Sequence, residues 1–356
     1  MPTVIDWSPT VDPSEFVRQT RDTLASGSVV VLPGDCGYLA LWRADTAVSL
    51  PNSALLVWGP DEAAALGLSV PTVARRLMFR AWPAPLVIEV PATVAVPATV
   101  TGFARFRFPD HPLFEMVIPA VADLGPVLVA DLGVATTNEA VARLGEAVGL
   151  VVNAGERISG AVPTVVRVTN PPGSSACLMG AGAGIEITQP GAFPVDEIVR
   201  LAARIILFVC TGNTCRSPLA EGLAKTLLAE KLGCTVGELP ARGFWVLSAG
   251  VAAYGGSPAS EESCAVAAEF GADLNEHTSR PVNPQLLFAA DDVIAMTQSH
   301  LYALATNYPN VGPGARLLGD DEDLDDPIGA GREVYRACAE TIVRHLERIL
   351  PEWVVS

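Results

Sequence analysis

The sequence predicts an α/β fold made of two domains. Apolar runs of strand length alternate with helix-like segments along all 356 residues, a pattern typical of sheets covered by helices. The chain is also longer than one average hydrophobic core requires. A stretch rich in glycine and proline over 170–193 interrupts the pattern, which restarts at "RIILFVC". We therefore place a boundary between an N-terminal domain, 1–200, and a C-terminal domain, 201–356.

The elements of the N-terminal domain can be read in order from these runs. A helix is expected over 12–25, followed by a buried strand at "GSVVVLP" and a turn at Gly34 and Asp35. Four further runs read as strands and one as a closing helix. The strand runs are "PLVIEVP", "PVLVADL", "GLVVNAG" and "PTVVRVTN", and the helix is "VDEIVRLAA". No internal repeat relates this half to the C-terminal half.

Composition excludes several classes of protein. The formal charge is −16 and lysine occurs only at Lys225 and Lys231, which gives no strong nucleic-acid signal. No apolar run reaches the roughly 18 residues of a membrane span, and the N-terminus lacks a signal-peptide pattern. Seven scattered cysteines and four histidines form neither a disulfide framework nor a metal pattern. We expect a cytoplasmic protein that uses no metal and no cofactor.

The segment "ILFVCTGNTCRSP" predicts a phosphate-binding loop. A cysteine followed six residues later by arginine is weak alone, and Cys338 with Arg344 fits it too, within a run that reads as amphipathic helix. At Cys210, however, a strand leads into turn residues and then into a helix, for which Ser217 is a suitable N-cap and Pro218 a suitable first residue. Such a loop points backbone N–H groups at an anion and stabilises a thiolate. The loop residues are Thr211, Gly212, Asn213, Thr214, Cys215, Arg216 and Ser217.

This segment resembles the signature loop of the low-molecular-weight protein-tyrosine phosphatases. The likeness continues at "LSAGV", "ADDVIAMTQSH" and "DDPIG" and covers about 204–352. The resemblance implies that Cys210 attacks phosphorus, that Arg216 holds the phosphate, and that Asp326 acts as general acid and then base. It also implies that Asn213 and Ser248 shape the loop and that Ser217 steadies the thiolate. The alternatives are a buried structural cysteine and a solvated acidic run around Asp326.

The phosphorylated residue that the site accepts stays open between tyrosine and arginine. Thr214 resembles the bacterial protein-arginine phosphatases, because its short hydroxyl side chain leaves room for a guanidinium. Ile328 stands where an aromatic residue is common, and Tyr254 is a candidate to supply that surface or is an ordinary loop tyrosine. Cys215 is either a disulfide partner for oxidised Cys210 or a small loop filler. Arsenate reductase is discounted, since no cysteine lies between Cys264 and Cys338.

The N-terminal half resembles the YrdC-like threonylcarbamoyl-AMP synthases. The likeness lies in the order of "SGSVVVLPGDCGYLALWRAD", "AWPAPLVIEV", "FRFPDHPLF", "ATTNEA", "VVNAGE" and "PTVVRV" over about 12–200. Arg107 matches the family, but its Thr-Asp-Thr reads Gly-Asp-Cys at 34–36, its Ser-Ala-Asn reads Thr-Thr-Asn at 136–138, and its Ser-Thr-Val reads Pro-Thr-Val at 163–165. No lysine is present in this half, and acyl-adenylate formation needs cations around a triphosphate.

We therefore expect a YrdC-like twisted α/β sheet, degenerate and kept for binding, regulation or stability, fused to a Rossmann-like phosphatase with a short parallel sheet flanked by helices. The expected function is hydrolysis of phosphotyrosine or phosphoarginine in a phosphoprotein substrate through a cysteinyl-phosphate. The first alternative is threonylcarbamoyladenylate synthesis for tRNA modification, with ATP as an unlikely ligand of the N-terminal domain. The second is a non-catalytic binding module.

Overall fold

The structure, a computed structural model, describes residues 1–8, 12–157, 160–169, 184–309 and 314–355. The described chain divides after residue 202 into two compact units. Both units are mixtures of helices and strands, as the sequence predicts. The described helices include none that is long and apolar enough to span a membrane. Most of the glycine- and proline-rich stretch lies outside the described residues.

Unit 1 is built on one mixed sheet. Its strands in chain order are β1 (Thr3–Asp6), β2 (Val29–Gly34), β3 (Gly37–Arg43), β4 (Ala54–Leu56), β5 (Leu86–Pro91), β6 (Thr99–Val100), β7 (Phe103–Arg107), β8 (Val127–Asp131), β9 (Val148–Asn153), β10 (Thr164–Val168) and β11 (Ile185–Gln189). They are ordered β1-β9-β2-β3-β8-β4-β7-β5-β10-β11, with β6 beside β7. The sheet contains both parallel pairs, such as β2 with β9, and antiparallel pairs, such as β2 with β3. All five strand runs predicted for this half are strands.

Six helices in the described part of unit 1 accompany this sheet. They are α1 (Pro13–Ala25), α2 (Pro60–Ala65), α3 (Thr72–Ala81), α4 (Pro112–Val121), α5 (Thr137–Leu144) and α6 (Val195–Ala202), with 3-10 turns at Ala122–Leu124 and Gly145–Ala147. The predicted helices at 12–25 and at "VDEIVRLAA" are confirmed as α1 and α6. Asp12 caps α1 by accepting the N–H of Ser14 at 2.9 Å, an N-terminal device typical of helices.

Unit 2 has a four-stranded parallel sheet. Its strands are β12 (Arg204–Cys210), β13 (Phe244–Gly250), β14 (Asp292–Ala295) and β15 (Arg316–Leu317), and their order is β13-β12-β14-β15. Its helices are α7 (Arg216–Leu232), α8 (Glu261–Glu269), α9 (Pro284–Ala289), α10 (Gln298–Asn307) and α11 (Arg332–Val355), with a 3-10 turn at Val236–Glu238. Because β12 is an inner strand, its carboxyl end opens where strands of a parallel sheet commonly present ligand sites.

The packing of unit 2 places the end of α11 against β12 and ties β12 to β14. Phe208 on β12 and Trp353 on α11 are buried with ring centroids 6.4 Å apart, and the Nε of Arg204 donates to Oδ2 of Asp292 at 2.7 Å. The second cysteine–arginine match, Cys338 to Arg344, lies within α11, which confirms the helix predicted there.

The predicted start of α7 is wrong by two residues. The helix begins at Arg216, with Cys215 at the N-cap position, rather than being capped by Ser217. The hydroxyl of Ser217 is buried and turned toward Cys210. It therefore serves the loop and not the end of the helix.

Candidate active site

The loop between β12 and α7 wraps around the sulfur of Cys210. Cys210 ends the strand and is 3% exposed. Its Sγ accepts the backbone N–H of Asn213 at 3.2 Å and lies 2.9 Å from Oγ of Ser217. Asn213 has φ of 56°, the left-handed region that asparagine tolerates better than most residues. This turn brings the Asn213 amide back over the sulfur.

The side chain of Asn213 ties the loop to the rest of unit 2. Its Nδ2 donates to Oγ of Ser217 at 2.9 Å and to Oγ of Ser248 at 2.8 Å. Its Oδ1 accepts the backbone N–H of Arg280 at 2.9 Å. Nε2 of His277 lies 2.9 Å from the Asn213 carbonyl oxygen. All four polar groups of Asn213 are thus used, so the loop shape is fixed by tertiary contacts.

Gly250, at the end of β13, allows the loop to approach that strand. A Cβ added there would lie 2.4 Å from the carbonyl oxygen of Thr211 and 3.0 Å from the backbone nitrogen of Asn213. Both atoms are backbone and cannot rotate away. The glycine in "LSAGV" is therefore required by the close approach of two backbones.

Arg216 and Asp326 meet at the mouth of the loop. Nη1 of Arg216 donates to the carbonyl oxygen of Leu324 at 3.1 Å, and Nη2 donates to Oδ2 of Asp326 at 2.5 Å. The Asp326 side chain is 41% exposed, whereas that of Arg216 is 7% exposed. The other Asp326 oxygen accepts the N–H of Ile328 at 3.2 Å. The structure thus brings together a buried thiol, a guanidinium and a carboxylate that solvent reaches.

The residues predicted to set specificity stand at the surface. Thr214 is half-buried, while Tyr254 is 89% exposed and Ile328 is 67% exposed. The Tyr254 carbonyl oxygen accepts the hydroxyl of Ser279 at 2.6 Å, which anchors the backbone behind that ring. Tyr254 and Ile328 are therefore free to meet a ligand and are not core side chains.

Cys215 has hydrogen-bonding neighbours that sequence patterns did not indicate. Its Sγ lies 3.3 Å from the hydroxyl of Tyr335 and 3.6 Å from that of Ser260. Tyr335 is buried on α11, and burial raises the pKa of its hydroxyl to about 12, with the bond to Cys215 adding to the shift. The Tyr335 hydroxyl is 120 residues from Cys215 along the chain, so no local motif could have revealed this contact.

His300 is a second residue that the sequence did not single out. Its Nε2 lies 2.8 Å from Oγ1 of Thr211, and its Nδ1 lies 2.9 Å from Oγ1 of Thr297. Burial, followed by the charge of Arg216, lowers the pKa of His300 to about 4. A neutral imidazole therefore supports the first residue of the loop.

In unit 1 the positions that matched a synthase site have structural partners. Arg107 is buried and forms ion pairs with Asp35 and Asp131. Thr136 caps α5 in a capping box with Glu139, and Oγ1 of Thr164 donates to the carbonyl oxygen of Phe193 at 2.9 Å. Asp35, Cys36 and Asp131 place ligand atoms within 4.8 Å of one another, but both carboxylates are already paired with the Arg107 guanidinium. Burial raises the pKa of Cys36 to about 12.

Unit 1 also has a cleft of about 580 Å³ with mostly apolar walls. The lining residues are Trp7, Pro13, His111, Pro112, Met116, Ala154 and Arg157. Burial lowers the pKa of His111 to about 4, and the charge of Arg157 adds to this. Arg157 therefore supplies the only permanent positive charge among the lining residues.

Comparison with known proteins assigns the C-terminal half. The family described as Low molecular weight phosphotyrosine protein phosphatase matches residues 205–354. A protein named Protein-arginine-phosphatase from Bacillus subtilis is 34% identical over 149 residues, which are 40% of this chain and 93% of the relative. The chain therefore belongs to the low molecular weight phosphotyrosine protein phosphatase family, through its C-terminal half.

Two further similarities have the same extent. The low molecular weight protein-tyrosine-phosphatase PtpB of Staphylococcus epidermidis is 31% identical over 147 residues, 40% of this chain and 95% of the relative. A crystal structure of a low molecular weight protein tyrosine phosphatase from T. tengcongensis is 34% identical, covers 42% of this chain and 99% of that chain, and gives a TM-score of 0.38. The family match and the two sequence relatives assign a phosphatase domain to the C-terminal half, and the YrdC-like resemblance of the N-terminal half stays a prediction.

Proposed function

We propose that the C-terminal unit hydrolyses phosphorylated protein side chains through a cysteinyl-phosphate. The observation that carries the proposal is the arrangement of Cys210, Arg216 and Asp326 around one loop. The sulfur of Cys210 is buried, it accepts the Asn213 N–H, and the hydroxyl oxygen of Ser217 lies 2.9 Å from it. The thiolate is the form of cysteine that acts as a nucleophile.

The reaction consists of two displacements at phosphorus. The Cys210 thiolate forms an S–P bond while the P–O or P–N bond of the substrate breaks, and Asp326 gives a proton to the departing oxygen or nitrogen. Asp326, now a carboxylate, takes a proton from a water molecule whose oxygen attacks phosphorus. The S–P bond breaks, which releases phosphate and restores the thiolate. Arg216 and the loop N–H groups hold the phosphoryl oxygens in both steps.

Phosphoarginine is the substrate that Thr214 favours, and phosphotyrosine is the alternative. The half-buried Thr214 offers a hydroxyl at the loop, and its short side chain leaves space for a planar guanidinium. Relatives named Protein-arginine-phosphatase from Bacillus subtilis and Geobacillus stearothermophilus are 34% and 37% identical over 149 residues, while the relative PtpB is named as a tyrosine phosphatase. The exposed Tyr254 ring and Ile328 are proposed as walls of the substrate site.

The test uses the full-length protein under reducing conditions with a phosphoarginine peptide and a phosphotyrosine peptide. The Cys210→Ser variant is expected to hydrolyse neither peptide, whereas Cys234→Ser, a matched change at a cysteine outside the loop, is expected to retain the wild-type rate. A higher kcat/KM on phosphoarginine that falls in Thr214→Val supports the assignment to arginine. Wild-type protein that hydrolyses neither peptide nor a small aryl phosphate would overturn the proposal.

For the N-terminal unit we propose a YrdC-like domain that binds a ligand or partner but does not make threonylcarbamoyladenylate. The support is the state of Arg107, whose guanidinium is paired with Asp35 and Asp131 and is buried. An arginine held in this way is not available to a triphosphate. Isothermal titration of the full-length protein with Mg-ATP is expected to show no binding. Pyrophosphate release in the presence of ATP, threonine and bicarbonate would contradict the proposal.

We also propose a cytoplasmic location. The six cysteines in the described part of the chain are free thiols, and a thiolate nucleophile needs a reducing compartment.

A further inference from the structure

A buried carboxylate behind the phosphate loop, Glu221, has no part in the reaction steps above. Glu221 lies on α7 and is 7% exposed. Its Oε2 accepts the hydroxyl hydrogen of Ser248 at 2.6 Å, and its Oε1 is paired with the ammonium group of Lys225. A carboxylate can only accept hydrogen bonds while it is ionised. Both carboxylate oxygens of Glu221 therefore have partners, and the partner of Oε2 is Ser248, which also contacts the loop residue Asn213.

The hydrogen bond from Ser248 to Glu221 determines whether Ser248 donates or accepts in its contact with Asn213. A serine has one hydroxyl hydrogen, and here it is donated to the carboxylate. The Ser248 oxygen must therefore be the acceptor in its 2.8 Å contact with Nδ2 of Asn213. Ser248 is fully buried, so no exchange with bulk water relaxes this constraint.

The orientation of the Asn213 amide carries the constraint to the catalytic sulfur. Its oxygen accepts the Arg280 N–H, so both amide hydrogens are available, one for Ser248 and one for Ser217 at 2.9 Å. The Ser217 oxygen is then an acceptor, and its single hydrogen remains to be donated. The Cys210 sulfur at 2.9 Å is nearer to it than the Ala249 carbonyl oxygen at 3.4 Å.

We infer that Glu221 is a positioning residue that sets the direction of the hydrogen-bond chain ending on Cys210. The chain runs from Ser248 to Glu221, from Asn213 to both serines, and from Ser217 to the sulfur. Glu221 acts on the thiolate through Ser248 and Asn213 and touches neither substrate nor sulfur. The inference rests on the proposed function insofar as the Cys210 thiolate is the nucleophile.

The hydrogen-bond chain and the negative charge of Glu221 have opposite effects on the pH at which Cys210 reacts. A negative charge near the sulfur disfavours the thiolate, so removing that charge alone would make Cys210 react at lower pH. If Glu221 no longer accepts the Ser248 hydrogen, that hydrogen can point toward the Asn213 amide and disturb the Asn213–Ser248 hydrogen bond. The Asn213 amide then holds Ser217 less firmly, and the hydrogen bond from Ser217 to the sulfur becomes weaker. The chain therefore predicts that Cys210 reacts only at higher pH. The direction in which the reaction pH of Cys210 shifts therefore distinguishes the two effects.

The experiment measures the rate at which iodoacetamide alkylates Cys210 in the full-length protein across pH 4 to 9, by peptide mass spectrometry. Glu221→Gln is expected to raise the midpoint of the rate profile by about one pH unit, as expected for a weakened charge-assisted hydrogen bond. Glu221→Asp retains the charge but is too short to reach both Lys225 and Ser248, and it is also expected to raise the midpoint. It serves as the second variant if Glu221→Gln does not fold.

Two comparisons make the result specific. Glu230→Gln, the same change at an exposed position on α7, is expected to leave the midpoint unchanged. In a Ser248→Ala background, where the chain is already cut, Glu221→Asp is expected to cause no further rise. A midpoint that stays or falls in the single variants, or that rises equally without Ser248, overturns the inference. Because alkylation needs no phosphorylated substrate, this outcome is independent of whether the protein hydrolyses phosphopeptides.

Discussion

Arg216 and Asp326 form an ion pair in which Nη2 and Oδ2 lie 2.5 Å apart, although 110 residues separate them in the chain. The proposed phosphate clamp and the proposed general acid are therefore paired with each other. An incoming phosphoryl group brings oxygens that compete for the same guanidinium hydrogens. Binding of phosphate is thus expected to release Asp326 toward the leaving group, because the carboxylate loses its donor as the phosphate gains it.

Replacing Asp326 by asparagine removes the proton donor and keeps the size of the side chain. We expect kcat/KM on a phosphopeptide to fall by roughly 10² to 10⁴-fold, the usual contribution of general acid catalysis. The loss should be smaller on an aryl phosphate with an acidic phenol, which needs little protonation. Asp325→Asn, the matched change at the neighbouring residue, is expected to stay within a few-fold of wild type. Equal losses in the two variants would assign no special role to Asp326.

Gly250→Ala tests the contact between β13 and the phosphate loop. The added Cβ would lie 2.4 Å from the Thr211 carbonyl oxygen, so the loop has to move away from Cys210. We expect kcat/KM to drop by about 10²-fold, the effect of a misplacement near 1 Å, in a protein that remains folded by circular dichroism. Gly237→Ala, where an added Cβ has no neighbour within 4 Å, should retain full activity. A fully active Gly250→Ala protein would contradict the close approach.

The ion pairs of Arg107 make a prediction about stability in unit 1. Arg107→Met leaves Asp35 and Asp131 without their buried partner, and losing one member of such a cluster costs about 3–5 kcal/mol. We expect a loss of that size in the free energy of unfolding, measured by urea titration. Arg75→Met breaks an exposed pair with Asp61 and should cost less than about 1 kcal/mol. Similar losses in both variants would show that burial of the Arg107 cluster has no energetic consequence.

The lowered pKa of His300 predicts that unit 2 becomes less stable in acid. The folded pKa is about 4, below the unfolded value of roughly 6.5, so the unfolded chain binds more protons between these values. The stability associated with neutral His300 is complete above pH 6.5 and falls as the pH drops toward 4. We expect a loss on the order of 2 kcal/mol between pH 7 and pH 5.

His300→Gln removes this proton linkage and is the variant to measure beside wild type. The difference in the free energy of unfolding between the two proteins should shrink as the pH falls from 7 to 5. His111, whose pKa burial also lowers to about 4, is present in both proteins and cancels in the difference. Parallel stability curves over this range would show that His300 is not responsible.

Local sequence patterns were sufficient for the buried strands and for the phosphate loop. Strands β2, β5 and β12 consist of apolar runs that are typical of buried strands. The order strand, turn, helix around Cys210 predicts a loop whose backbone N–H groups point at an anion. Short elements such as β4 and β6, with three and two residues, were not predicted, because they form by pairing with distant strands and have no periodicity of their own.

The parts of the site that were missed depend on contacts between distant residues. Glu221 meets Ser248 across 27 residues and His300 meets Thr211 across 89, and neither has a local signature. Ser217 is a case in which a local preference gave the wrong partner. Its sequence position predicts a helix cap, but its hydroxyl contacts the buried sulfur of Cys210 instead. The fold, and not the motif alone, decides which partner a short polar side chain finds.

The contacts of Asn213 also order events while the chain is being synthesised. Its partners Ser248, His277 and Arg280 lie 35, 64 and 67 residues further along. When Cys210 is added to the growing chain, none of these three residues has yet been made. The nascent polypeptide therefore carries Cys210 without these loop contacts for the time needed to translate those residues. The phosphate loop can therefore take its final shape only after Arg280 has been made.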